Sequence, residues 1–131
     1  MSPAAKAAVQ KPLHVLVVDD NLDQVHTLAF LLSHAGHAVD YAINATVAMD
    51  LALRLTPDVI VLDMALPDCS GLSIARKVRH TPGLEKTCLI AMTATEITRE
   101  EALQAGFDEF LRKPVSFSTL EEILATLLSD R

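Results

Sequence analysis

The segment Val59-Ile60-Val61-Leu62 is an unbroken run of branched aliphatic residues ended by Asp63, and the chain repeats this device. Val15-Leu16-Val17-Val18 stops at Asp19-Asp20, Leu89-Ile90-Ala91-Met92 stops at Thr93, and Phe110-Leu111 runs up to Lys113-Pro114. A strand with one wet face alternates apolar and polar residues, whereas a strand covered by helices on both faces is apolar throughout. These runs therefore call for a parallel sheet between two helical layers. In such an open sheet the ligand crevice lies outside the carboxyl ends of the strands, so three carboxylates, a hydroxyl and an ammonium are expected along one edge.

Helical patterns separate the strands. Asn21 is a plausible N-cap for a helix to about Ala35, which Gly36 ends in the left-handed position. A short strand over 37–42 follows. Asn44 then caps a helix whose Ala48, Leu51, Ala52 and Leu55 form one apolar stripe, and Thr56-Pro57 breaks it. After Asp63 a loop through Gly71 opens a helix from Leu72 to about His80. The fourth strand is expected over 87–92, a helix over 97–105 stopped by Gly106, and a short strand over 108–111. Ser116 and Ser118 both offer caps to the last helix, the latter as a capping box with Glu121; its stripe is Leu120, Ile123, Leu124 and Leu127. Five strands joined by right-handed crossovers predict a three-layer α/β/α, doubly wound, flavodoxin-like parallel sheet of order 2-1-3-4-5.

With 131 residues the chain fits one domain. The folded part is expected over 13–131, after a flexible leader over 1–12 that is rich in Ala, Lys and Pro. Half the residues are hydrophobic but only 4% are aromatic, so the core must come from Leu, Val, Ile and Ala. Seventeen acids against eleven bases, a formal charge of −6, argue against a nucleic-acid or anionic-membrane surface, which needs clustered Lys and Arg. A protein partner is expected instead. No apolar stretch suits a signal peptide or a transmembrane helix, and Cys69 and Cys88 read as reduced thiols, so a cytoplasmic location is expected.

In the 2-1-3-4-5 order the switch point falls between strands one and three, which end in Asp19-Asp20 and Asp63. Carboxylates held this close raise one another's pKa unless a cation sits among them, and Mg²⁺ suits because it takes one or two carboxylates, keeps waters and binds phosphate oxygen. A carboxylate beside Mg²⁺ can attack phosphorus and form an acyl phosphate. Asp63, alone at the central strand's end, is the nucleophile candidate; Asp20 would bind the metal directly and Asp19 through a water or as a second ligand. Lys113 supplies a point charge and Thr93 a neutral hydroxyl. Pro114 makes the Lys113-Pro114 bond a candidate cis peptide. The five histidines form no convincing ligand set, and Arg76, Lys77 and Arg79 read as a solvated helix face.

Taken in order, Val-Leu-Val-Val-Asp19-Asp20-Asn21, Val-Ile-Val-Leu-Asp63-Met-Ala-Leu-Pro67-Asp-Cys-Ser-Gly71, Ala-Met-Thr93-Ala94 and Phe110-Leu-Arg-Lys113-Pro114 resemble the receiver domain of two-component response regulators, in its chemotaxis-regulator-like single-domain form. The resemblance runs from about Leu13 to Leu128. It implies that Asp63 accepts a phosphoryl group from a phosphohistidine on a sensor kinase or phosphotransfer protein, with Asp19, Asp20, Asp63 and the backbone carbonyl of Ala65 binding Mg²⁺. It also implies that Thr93 and Phe110 form the switch, that turnover is confined to self-phosphotransfer and autodephosphorylation at Asp63, and that the product is a monomer or a phosphorylation-dependent dimer. Three departures stand out: Ala65 and Thr95 occupy positions that influence the phosphoryl lifetime in the family, Phe110 lacks the hydroxyl of the tyrosine often found there, and the stretch from Thr93 to Lys113 is slightly short, implying a reshaped output face.

Other readings compete. A receiver cut from a hybrid kinase or multidomain regulator would look the same. A non-phosphorylated interaction module would not need the full acidic set. A haloacid-dehalogenase-like phosphohydrolase would want a second Asp where Ala65 stands, and a flavin carrier would want more aromatic residues.

Overall fold

The computed structural model describes residues 12–94 and 97–129, with side chains through residue 126, so the leader expected over 1–12 lies almost wholly outside the described residues, as do Thr95 and the Leu127 side chain. Strands β1 (His14–Val18), β2 (Ala38–Ala42), β3 (Val59–Asp63), β4 (Cys88–Thr93) and β5 (Glu109–Arg112) alternate with helices α1 (Leu22–His34), α2 (Ala45–Leu55), α3 (Gly71–Arg79), α4 (Arg99–Ala105) and α5 (Phe117–Ser129). The strands form one five-stranded sheet of order β2-β1-β3-β4-β5, every pairing parallel. Fold class and strand order are as the apolar runs predict.

Each apolar run divides its residues between the two helical layers, as alternation along a strand requires. Leu16, Val18, Ile60, Leu62, Leu89 and Ala91 join Ala48, Ala52, Ile74, Ala75, Val78 and Ala102 of α2, α3 and α4. Val15, Val17, Val59, Val61, Ile90 and Met92 join Val25, Leu28 and Leu32 of α1 and Leu120 and Leu124 of α5. Every residue of β3 and β4 is buried. Full burial of each aliphatic side chain contributes about 1.5–3 kcal/mol, so the central strands anchor the edge they end on.

Local capping sets where the helices begin. The Asn21 side chain accepts from the Gln24 N–H, and Asn44 from the Val47 N–H, as expected. α4 starts two residues later than its apolar pattern suggests because Thr98 and Glu101 form a reciprocal capping box. At α5 the cap is Ser116, whose Oγ accepts from the Thr119 N–H at 3.4 Å; Ser118 lies inside the first turn, so the expected Ser118 box with Glu121 is not the one used. α1 ends ahead of Gly36 at φ 104°, and α2 ends on Thr56 at φ 42°, a left-handed position filled by a β-branched residue.

Arg79 departs from the solvated reading of α3. Its guanidinium donates to the carbonyls of Gly106, Glu85 and Thr87 and to the Asp108 carboxylate, at 2.7 to 3.0 Å. One side chain thus ties α3 to the end of α4, the loop before β4 and the start of β5. Neither cysteine is in a disulfide, Cys88 being buried and Cys69 half-buried. No helix among the described residues is long and apolar enough to cross a membrane.

Candidate functional site at the carboxyl edge of the sheet

β1 and β3 are adjacent and in register from Val15↔Val59 to Val18↔Leu62, so the residues following them emerge side by side. Asp19, Asp20 and Asp63 each offer a carboxylate oxygen, and the three oxygens lie within 4.8 Å of one another. Asp19 is fully buried and Asp63 is 5% exposed, whereas Asp20 is open to solvent. Lys113 closes the site from β5: its Nζ lies 2.8 Å from Asp19 Oδ2 and 3.1 Å from Asp63 Oδ2. The Lys113-Pro114 bond that follows is cis.

The second oxygens are also used. Asp19 Oδ1 accepts from the Asn21 N–H and Asp63 Oδ1 from the Ala65 N–H, both at 3.0 Å. Burial pushes the Asp63 carboxyl above its usual range, and the charge of Asp19 adds to this, while the Ala65 N–H and Lys113 oppose it. Burial alone would lower the Lys113 ammonium, but its bonds to Asp19 and Asp63 outweigh that and hold it above its usual range. A single ammonium therefore balances three clustered carboxylates incompletely. An octahedral ion with oxygens at about 2.1 Å holds its ligands about 3 to 4 Å apart, a spacing that this all-oxygen, carboxylate-rich cluster can meet by small side-chain movements. The residues fit Mg²⁺.

Thr93 is buried at the end of β4. Its carbonyl accepts the Lys113 N–H at 2.8 Å and its register partner is Arg112, which sets it beside the lysine's strand end. Phe110 stands outside this cluster, half-buried against the core layer of α2 to α4. Ala65 is exposed and pairs through a bridge with Ser70, which caps α3.

Two residues that shape the loop after Asp63 carry roles that motif reading left unassigned. A β-carbon on Gly71 would come within 2.7 Å of Met64 Cα and 3.2 Å of the Asp63 carbonyl oxygen, so only glycine lets α3 start this close to the acidic loop. Asp68 reaches back to α2: its carboxylate accepts from the N–H groups of Ala45 and Thr46 and from the Thr46 hydroxyl. The Ala45 N–H, first among these bonds, holds the Asp68 carboxyl below its usual range. The partners of Asp68 lie 22 and 23 residues away, which a linear motif does not carry, whereas Gly71 meets Met64 and Asp63 within the motif itself.

The model of the response regulator receiver domain family matches residues 15–125. The chain belongs to that family. Among its relatives, the receiver domain is 38% identical over 118 residues to the probable transcriptional regulatory protein TcrX of Mycobacterium tuberculosis, covering 89% of this chain and 49% of TcrX. It is 39% identical over 105 residues to an uncharacterized 14.6 kDa protein of Leptolyngbya boryana, covering 79% and 80%. It is also 30% identical over 131 residues to the sensor histidine kinase AtsR of Burkholderia thailandensis, covering 98% of this chain and 22% of the kinase. The crystal structure of the chemotaxis response regulator CheY4 of Vibrio cholerae superposes with a TM-score of 0.83 at 25% identity, covering 89% of this chain and 99% of that one. The receiver domain thus spans about half the length of regulators such as TcrX and about a fifth of the kinase.

Proposed function

We propose that this receiver domain is a phosphoacceptor of a two-component phosphorelay, taking a phosphoryl group on Asp63 from a phosphohistidine of a sensor histidine kinase or phosphotransfer protein and thereby switching its partner-binding face. The observation that carries the reading is the meeting of the Asp19, Asp20 and Asp63 carboxylates within 4.8 Å, with Lys113 3.1 Å from Asp63. Asp19, Asp20, Asp63 and the Ala65 carbonyl would hold Mg²⁺, whose chemistry is to neutralise charge on the phosphoryl oxygens.

A carboxylate oxygen of Asp63 attacks phosphorus, the P–N bond to the donor imidazole breaks, and that nitrogen leaves with the bonding pair. The product is an acyl phosphate. Lys113 offsets the charge that spreads over the equatorial oxygens, and the Ala65 N–H orients the attacking carboxylate. The Thr93 hydroxyl would turn toward the new phosphoryl group, and Phe110 would move in behind it. The added charge of about −1.5 to −2, by analogy with other phosphorylated side chains, is the input. No turnover on a separate substrate is expected, and a cytoplasmic location suits such a relay. The domain spans residues 13–131 in this reading.

Coverage of 22% of the kinase AtsR supports a second reading of the same chemistry, in which this segment is the receiver of a longer hybrid kinase or multidomain regulator. Ala65, where a phosphohydrolase of the haloacid dehalogenase kind would want an acid, weighs against turnover on phosphate esters.

Intact mass after incubation with acetyl phosphate, with and without Mg²⁺, tests the proposal beside an Asp63→Asn variant. One Mg²⁺-dependent phosphoryl gain, absent from the variant, is expected. No gain in either protein, together with no Mg²⁺ binding, would favour an interaction module that never takes phosphate.

A further inference from the structure

Thr93, Phe110 and Arg112 occupy equivalent faces of neighbouring strands, because Ala91 pairs with Phe110 and Thr93 with Arg112. Phe110 packs against the core on one side. Over its ring lies the Arg112 guanidinium, 5.2 Å from the centroid. The same guanidinium donates through Nη2 to the Ile97 carbonyl at 3.4 Å, just ahead of α4. One exposed side chain therefore touches both the aromatic ring and the segment leading into α4, and the next residue along the strand is Lys113, bonded to Asp19 and Asp63.

We propose that Arg112 is a latch: a positioning residue that holds Phe110 and the start of α4 in the resting arrangement and must release both when charge is added at Asp63. The inference rests on the phosphoacceptor reading above. Neither the ring nor the Ile97 segment can shift without giving up a contact to the one guanidinium, so their movements are coupled. Arginine suits this role because its planar group lies over a ring while its edge N–H groups still donate, which a lysine ammonium cannot do in the same way. Arg99 pairs separately with Glu109, so α4 remains tied to β5 when Arg112 is removed.

The test uses the full chain labelled with fluorophenylalanine, whose four Phe positions give separable ¹⁹F signals, with Phe110→Leu to assign one of them. In unphosphorylated Arg112→Met the Phe110 signal is expected to move toward its position in phosphorylated wild type. Phosphoryl gain from acetyl phosphate with Mg²⁺ should be faster by roughly two- to five-fold, the factor an exposed cation–π contact is worth. Mg²⁺ affinity should stay unchanged, the urea midpoint should fall by no more than the loss of that one contact, and Arg112→Lys should fall between the two. A phosphorylatable wild type beside variants with an unmoved Phe110 signal and an unchanged rate overturns the latch alone. A wild type that takes no phosphoryl group overturns the acceptor reading, and the latch with it.

Discussion

Lys113 reaches Asp63 across the carboxyl edge of the sheet, with Nζ 3.1 Å from Oδ2 and a second bond to Asp19. The ammonium comes from the last strand and the carboxylate from the central one, 50 residues apart in sequence.

Asp63 sits above the usual carboxylate range, chiefly through burial. Between its unfolded and folded pKa the folded state keeps a proton that the unfolded chain has released, so the stability tied to Asp63 is fully present below the unfolded pKa and is lost as pH rises through the folded one. Without metal, Asp63→Asn should match wild type at low pH and exceed it increasingly toward neutrality, by about 1 kcal/mol, the scale of an ordinary single-site change. Urea unfolding in a chelator at several pH values from below the ordinary Asp value of 3.8 up to neutrality checks this, and a pH-independent difference would refute it.

Asp20 is the exposed member of the cluster. Asp20→Asn should leave stability without metal within about 0.5 kcal/mol of wild type. Saturating Mg²⁺ should stabilise wild type by about 2.7 kcal/mol at a hundredfold excess over Kd and the variant far less. Thermal melts across a Mg²⁺ titration measure both numbers. Equal Mg²⁺ responses would remove Asp20 from the ligand set.

Gly71→Ala places a methyl against the Met64 backbone, which cannot yield as a flexible side chain would. A cost of about 1–3 kcal/mol is expected, with weaker Mg²⁺ binding because the displaced loop carries Ala65 and follows Asp63 directly. Calorimetric titration of the folded variant with Mg²⁺ reads the second effect, and unchanged affinity would show the loop to be independent of the α3 start.

Arg79→Met removes a guanidinium that satisfies three carbonyls and Asp108. Stability should fall by about 1–3 kcal/mol, chiefly from carbonyls left without a donor, because the Asp108 side chain is 40% exposed and its ion pair adds little. Its contacts lie near the amino ends of β4 and β5, so Mg²⁺ affinity of the folded fraction should not change. Chemical denaturation beside a Mg²⁺ titration separates the two effects.

Much of this molecule is legible along the chain. Unbroken aliphatic runs this short, rich in Val and Ile and set between helical spacers, read as strands buried on both faces, and their number leads to the 2-1-3-4-5 sheet. Because a parallel sheet gathers the carboxyl ends of its strands on one edge, the sequence alone assigns Asp19, Asp20, Asp63, Thr93 and Lys113 to that edge. The caps Asn21 and Asn44 are equally legible, whereas the Thr98 box that starts α4 is not read from the apolar pattern.

Contacts between distant segments were decided only by the tertiary structure. Arg79 looked like one of three solvated bases on α3 until α4 and β5 brought carbonyls and Asp108 to it. Asp68 falls in the loop that runs to Gly71, and only the fold brings the first N–H groups of α2 to its carboxylate. Arg112 lies over Phe110 and donates to Ile97, and its neighbour Lys113 bridges two strand ends. The physical reason is range. Hydrophobic period and capping are set by neighbours within a turn or a strand, whereas a polar group's partner is whichever unsatisfied donor or acceptor packing brings within about 3 Å.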